Sequence, residues 1–356
     1  MKKKKIAMMV VWSISLVSAL HLDFSHATPD PFPVYPGIVA NVRFWIDVYS
    51  KFPTTKGIIH DNADLSIVYG VIDLLPPEKH GASKENGKRI KIAKEKYRII
   101  LQQLFKNPAS QNIETQEIAA LFAPNSSPST YRKAVQNMRC QIGQKDRFEE
   151  GLVRSSPYVD KIKEIFRSSG LPEDLAYLPH VESSFNPKAY SKAGAAGIWQ
   201  FTRSTGKKFM KVGRGVDERR DPIRSSKAAA QLLEQNYRIL RSWPLAITAY
   251  NHGIAGLSKA KKAKGSEEAI FSDYSTRRFQ FASRNFYSEF LAARHVANNS
   301  ERYFGAIEVE SSLGTGEVSM RDVAPIPDFS QYCEVDIETF RMLTTALRRA
   351  TLNELE

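Results

Sequence analysis

Glu182 stands on a stretch that is otherwise apolar, and it is the residue of this 356-residue chain best placed to do acid–base chemistry. Leu175, Leu178 and Glu182 recur at i, i+3 and i+7, so one helical face carries two leucines and then a carboxyl group. Burial disfavours the ionised carboxylate and raises its pKa. A carboxylic acid that keeps its proton near neutral pH is what cleavage of a glycosidic bond requires. Pro179 should kink the helix that carries it, and Ser183 and Ser184 follow as hydrogen-bond partners. The same spacing also fits a half-exposed glutamate capping the last turn of a helix.

A run of small residues comes next, Ala193-Gly194-Ala195-Ala196-Gly197, where a ligand can approach the backbone closely. Ile198, Trp199, Gln200 and Phe201 then offer aromatic faces and an amide, groups that suit N-acetylated sugars. They would equally serve a tight helix crossing with Trp199 in the core. Ala249-Tyr250-Asn251 closes an apolar helix and is followed by His252 and Gly253. Its hydroxyl and amide either converge on the same cleft or form a satisfied buried tyrosine and a helix cap. Asp217, Glu218 and Asp221 are the candidates for a second carboxylate. Their setting among Arg219, Arg220 and Pro222 reads better as a charged cap and turn. His180 and Glu182 are too isolated to read as a metal site, and the chain has neither a paired-cysteine nor an HExxH motif.

Taken in order, Val181-Glu182-Ser183-Ser184-Phe185-Asn186-Pro187, Ala193 to Phe201 and Ala249-Tyr250-Asn251 closely resemble the soluble lytic transglycosylase (SLT) catalytic domain, in the branch of membrane-bound lytic murein transglycosylase D. The resemblance covers residues 145–305. It implies a mostly α, lysozyme-like fold acting on peptidoglycan glycan strands without a cofactor. The bond cut would be the β-1,4 link from N-acetylmuramic acid to N-acetylglucosamine, with formation of a 1,6-anhydro ring. Glu182 takes the place of the family's catalytic acid and Ser183 that of its neighbour. Gly197, Trp199 and Gln200 match the sugar-site turn, with Trp199 where methionine is commoner. Tyr250 and Asn251 match directly. A late family tyrosine falls at Phe286, so Tyr287 is carried over beside it. Two other readings stay open: a hydrolytic muramidase of the goose-type lysozyme kind, and an envelope scaffold that retained the domain without activity.

Elements must position these residues. The spacing predicts a helix at Tyr158–Ser168 ending at Gly170, a new one opening at Pro172, and others at Ala228–Leu240, from Pro244, and at Ser283–Asn298. Ahead of them, residues 28–144 resemble the helical regions that precede the domain in bacterial homologues. A proline-rich, extended lead-in is followed by a helix carrying Val42, Trp45 and Tyr49. The β-branched run Ile58–Leu75 fits a hairpin or a loop and helix. Lys79–Lys96 reads as a solvated loop before a helix faced by Tyr97, Ile100, Leu101 and Leu104, and a further helix runs from Ser129 into the Cys140 region. The extension 306–356 carries a short alternating segment and a basic helix, and nothing in it resembles a LysM repeat.

Lys2–Lys5, the uncharged run Ile6–Leu20 and Ser25-His26-Ala27 form a Sec-type signal peptide over residues 1–27. The run is shorter than the roughly 20 residues of a spanning helix, and no lipoprotein cysteine follows it. Retention as an amphipathic anchor is the other reading. Export to the periplasm or medium is expected, with at most peripheral membrane contact. The two cysteines, Cys140 and Cys333, would then form a disulfide or remain buried thiols. Hydrophobic residues at 42% and charged residues at 25% exclude wholesale disorder, collagen and a polytopic membrane protein. The net charge of +13 favours an anionic partner, and export argues against nucleic acid.

Overall fold

The computed structural model describes residues 30–108 and 112–308, with single positions 331, 336 and 346. The signal segment, Cys333, most of the alternating segment after residue 306 and most of the final basic stretch lie outside the described residues. The described residues from Phe32 onward form one mostly helical unit. No described helix is long and apolar enough to cross a membrane.

The proline-rich lead-in reaches a short 3-10 turn at Pro36–Ile38, and α1 (Val39–Ser50) follows. Val42, Phe44, Trp45, Val48 and Tyr49 are its buried residues, and it packs along a long helix near the other end of the chain. The β-branched run is a hairpin, β1 (Lys56–Asp61) and β2 (Val68–Asp73), with a bulge between Ile59 and His60. The charged run is not a loop. It belongs to α2 (Ala82–Lys106), where Glu85 faces Lys88 and Arg89 one turn on, and only Ala82, Ile100, Leu101 and Leu104 are buried. A helix tolerates such a charged stretch because i,i+3 and i,i+4 pairs line its solvent face.

After α3 (Ile113–Ala119), α4 (Pro128–Asn137) stops before Cys140. The chain turns extended at Met138, and β3 (Met138–Ile142) pairs antiparallel with β1, Ile59 opposite Cys140, giving the sheet order β2-β1-β3. Pairing with the free edge of β1 overrides the helical pattern there. Cys140 is half-buried, and burial pushes its thiol up to about 11.

After β3 come α5 (Lys145–Ser155), α6 (Val159–Ser168), a 3-10 segment (Glu173–Tyr177), α7 (Leu178–Ser183), α8 (Arg203–Gly206) and α9 (Pro222–Leu240). They are followed by α10 (Trp243–His252), α11 (Ile254–Lys264), α12 (Glu267–Asp273), α13 (Phe281–Asn298) and α14 (Ser300–Phe304). The helix expected through Leu175, Leu178 and Glu182 is two segments rather than one kinked helix. Pro179 lacks an N–H and sits in the first turn of α7, where that donor would be unpaired anyway. Leu175 and Leu178 are both fully buried, as their spacing requires.

Arg219 ties the centre together. It is 1% exposed and pairs with Asp217, Nε to Oδ1 and Nη2 to Oδ2, both at 2.8 Å. Its Nη1 donates to the carbonyls of Gly194 (2.8 Å) and Phe201 (3.0 Å). Asp221 caps α9 by accepting the Ile223 and Arg224 N–H groups at 2.8 Å, and Glu218 accepts the Lys211 N–H. These acids serve the turn and the cap. Removing one partner of a buried pair strands the other charge, at about 3–5 kcal/mol. Asp217→Ala should therefore lower the free energy of unfolding by an amount of that order, read as a lower urea midpoint. A midpoint equal to wild type would show that the two carbonyls suffice.

Candidate active site

Glu182 is the penultimate residue of α7. The two residues after Ser183 take left-handed backbone angles, φ +50° at Ser184 and +54° at Phe185. Each costs about 1–3 kcal/mol and persists only where its surroundings hold it. Here Phe185 is 1% exposed, and Arg154 of α5 donates to the Ser184 carbonyl from Nε (3.1 Å) and Nη2 (2.8 Å). Gly151 brings α5 that close, since a Cβ there would stand 3.0 Å from the same oxygen. His180 packs its ring against Phe148 and Phe185, and burial lowers it to about 3, so it is neutral.

Glu182 borders a polar groove of about 390 Å³ whose other wall is α5 and its lead-in, with Gln144, Arg147 and Glu150, and whose near end holds Ser183 and Asn186. The carboxyl reaches the groove, yet burial pushes it up from 4.5 to about 8. Ser183 turns away from it. Its hydroxyl donates to the Ile198 carbonyl at 2.8 Å and accepts the Asn186 N–H at 3.2 Å.

The turn that receives Ser183 is fixed by Gly197. Its φ is +77°, and a Cβ would fall 1.7 Å from the Arg219 carbonyl oxygen, so no other residue fits without moving backbone. Gln200 also has positive φ, +49°, and its amide folds back to donate to the Gly197 carbonyl at 2.9 Å. Trp199 offers no face for stacking. It is wholly buried, its indole N–H donating to Ser226 Oγ at 2.7 Å, so its size goes into the core. Its carbonyl accepts the Tyr250 hydroxyl at 2.8 Å, and burial together with the Glu182 charge pushes that phenol's pKa up. Asn251 is exposed at the end of α10, its Oδ1 accepting the Ser283 hydroxyl at 3.2 Å. Tyr287 does not border the groove. It is fully buried, donates to the Pro33 carbonyl at 2.9 Å and stacks on Phe271, because this face of α13 covers the lead-in.

One acid escaped the sequence reading. Glu289 of α13 is half-buried and is pushed up to about 8, by burial first and the charge of Glu182 second. Tyr49, buried on α1, is raised by burial and then by the charges of Glu289 and Glu182. Thus α1, α7 and α13 each bring one titratable group to the same neighbourhood. The signal was present: Asn285, Glu289, Ala292 and Val296 share a helical face, and all but Glu289 are buried.

The profile of the Transglycosylase SLT domain matches residues 162–271, so the stretch bearing Glu182, the Gly194–Phe201 turn and Tyr250-Asn251 is an SLT domain. Within that class, the chain is similar to membrane-bound lytic murein transglycosylase D of Escherichia coli K12, 34% identical over 156 residues, covering 42% of this chain and 34% of that protein. It is also similar to a putative tributyltin chloride resistance protein of Alteromonas sp. M-1, 37% identical over 102 residues, 28% of this chain and 49% of that one. Membrane-bound lytic murein transglycosylase F of Pseudoalteromonas translucida is 29% identical over 151 residues, 37% of this chain and 31% of that one. The chain thus spans about a third to a half of the length of these relatives.

The two raised carboxyls carry a stability signature. Folded, each holds its proton to about pH 8, whereas in the unfolded chain it would release it near 4.5. The folded state binds more protons between those values, so stability falls as pH rises through that window. Glu182→Gln and Glu289→Gln should each raise the melting temperature relative to wild type at pH 8, with the gain shrinking toward pH 4.5. Calorimetric scans at both pH values check this, and a gain independent of pH contradicts it.

Proposed function

We propose that this chain is a peptidoglycan lytic transglycosylase in which Glu182 is the sole acid–base catalyst. The observation that carries the reading is the Glu182 carboxyl, reachable from a polar groove and kept protonated by burial up to about pH 8. An acid of that kind donates its proton to the glycosidic oxygen between N-acetylmuramic acid and N-acetylglucosamine as the bond breaks. The oxocarbenium-like muramyl carbon is then attacked by the 6-hydroxyl of the same ring. The Glu182 carboxylate takes the hydroxyl proton, which restores the acid and closes the 1,6-anhydro ring. The nucleophile is already tethered, so positioning replaces the second carboxylate that would activate water.

Ser183, Gly197, Gln200 and Tyr250 act on the substrate through the turn they brace, since each polar side chain among them is bonded to backbone. Asn251, exposed, and Asn186 and Gln144, in the groove, are amides available to N-acetyl groups. Export by the N-terminal segment would place the enzyme in the periplasm, and the net charge of +13 suits an anionic wall.

Digestion of purified sacculi tests the reading. Glu182→Gln keeps the shape and loses the proton, so turnover should fall about 100-fold or more. Wild-type activity should decline as pH rises through about 8, where Glu182 loses its proton. Fragment masses should show anhydro ends. Reducing ends would make the enzyme a hydrolytic muramidase, and binding without cleavage would make it a scaffold.

A further inference from the structure

A cavity larger than the Glu182 groove lies beyond Asn251. It measures about 540 Å³ and is lined by His252 and Gly256, by Lys259 of α11, and by Tyr274, Arg277 and Arg278 before α13. That is the size of a site for a molecule of several groups, not for one small ion. Lys259, Arg277 and Arg278 are exposed, and among the described residues none of them has a carboxylate partner.

The pocket is built rather than merely open. His252 Nδ1 lies 3.0 Å from Ser283 Oγ, whose proton goes to Asn251 Oδ1. The histidine therefore carries its hydrogen on Nδ1, and the pocket wall is joined to the Tyr250-Asn251 end of the site by two hydrogen bonds. The ring meets Phe279 edge-on at 5.0 Å. Gly256 makes room for it, since a Cβ there would lie 2.3 Å from His252 Cδ2. Gly253, at φ +89°, turns the chain between α10 and α11 so that the two walls face each other.

Neutral sugars are recognised by amides, hydroxyls and aromatic faces. Three unpaired cations around one cavity select a ligand with more than one negative charge. We infer that this pocket is a subsite for the carboxylates of murein stem peptides, so that the enzyme reads the peptide as well as the glycan. The inference rests on the murein reading above and adds the part of murein that a sugar cleft alone ignores. Arg277 and Arg278 hold the carboxylates, Lys259 closes the opposite side, and the His252–Ser283–Asn251 chain sets the pocket's distance from the sugar bound at Asn251.

The test is a binding measurement on Glu182→Gln protein, which should not turn its ligand over. Affinity is measured for glycan chains that retain their stem peptides and for the same chains stripped by an amidase. Peptide-bearing chains should bind about three- to tenfold tighter, the scale of a pair of partly exposed charge-assisted contacts. Adding Arg277→Ala and Arg278→Ala should bring the ratio near one, and Lys259→Ala should reduce it. Lys262→Ala, which removes an exposed cation of α11 outside the pocket, should leave the ratio as it is. Equal affinity for the two ligands, no binding of either, or an equal loss in Lys262→Ala overturns the inference. Wild-type turnover is measured separately. Cleavage with equal affinities sinks only the peptide subsite, and unequal affinities without cleavage sink only the transglycosylase reading.

Discussion

A buried guanidinium sets the geometry from which the site is built. Away from water, the Arg219 charge must be matched by a full set of acceptors, and Asp217 with the carbonyls of Gly194 and Phe201 supplies them. Those two carbonyls bracket the turn, so satisfying the charge fixes the turn. The Arg219 carbonyl then lies so close to residue 197 that only glycine fits. With the turn fixed, the Ile198 and Trp199 carbonyls have one direction each, and they are the anchors for Ser183 on α7 and Tyr250 on α10. Glu182 is placed through this chain of contacts, its side chain making no hydrogen bond among the described residues.

Holding Glu182 as a neutral acid has a thermodynamic consequence for the fold. Glu289 shares its neighbourhood, so two carboxyls that would otherwise ionise are kept in their neutral forms together, beside the buried phenol of Tyr49. The left-handed backbone at Ser184 and Phe185 adds strain two and three residues further on. Arg154, Gly151 and the core around Phe185 hold that strain. Stability is given up beside the groove, where the proposed chemistry sits, as is common at functional sites.

The sequence displayed the acid, the turn and the Tyr-Asn pair because each depends on local spacing. Leu175, Leu178 and Glu182 disclosed a carboxyl on an apolar face, and helices α9, α10 and α13 followed their periodicity. What it could not display was the destination of each side chain. Trp199 reads identically as a sugar platform and as core, and only the position of Ser226 decides. Tyr287 depends on the lead-in folding back over α13, a contact more than 250 residues apart in sequence. Cys140 sits in a strand because β1 had an edge to fill, which no helical period reports. Glu289 obeyed the same rule as Glu182, but no motif drew attention to it.

The wall opposite Glu182 comes from α5, and Tyr49 comes from α1; both precede the stretch matched to the SLT domain. The elements that build the groove around Glu182 therefore extend beyond the matched stretch. A stretch cut at the edges of the match and grafted onto another chain would bring Glu182, Gly197 and Tyr250 but leave half of the groove behind. A transplantable unit that keeps the whole groove therefore begins no later than Gln144, and one that also keeps Tyr49 begins with α1.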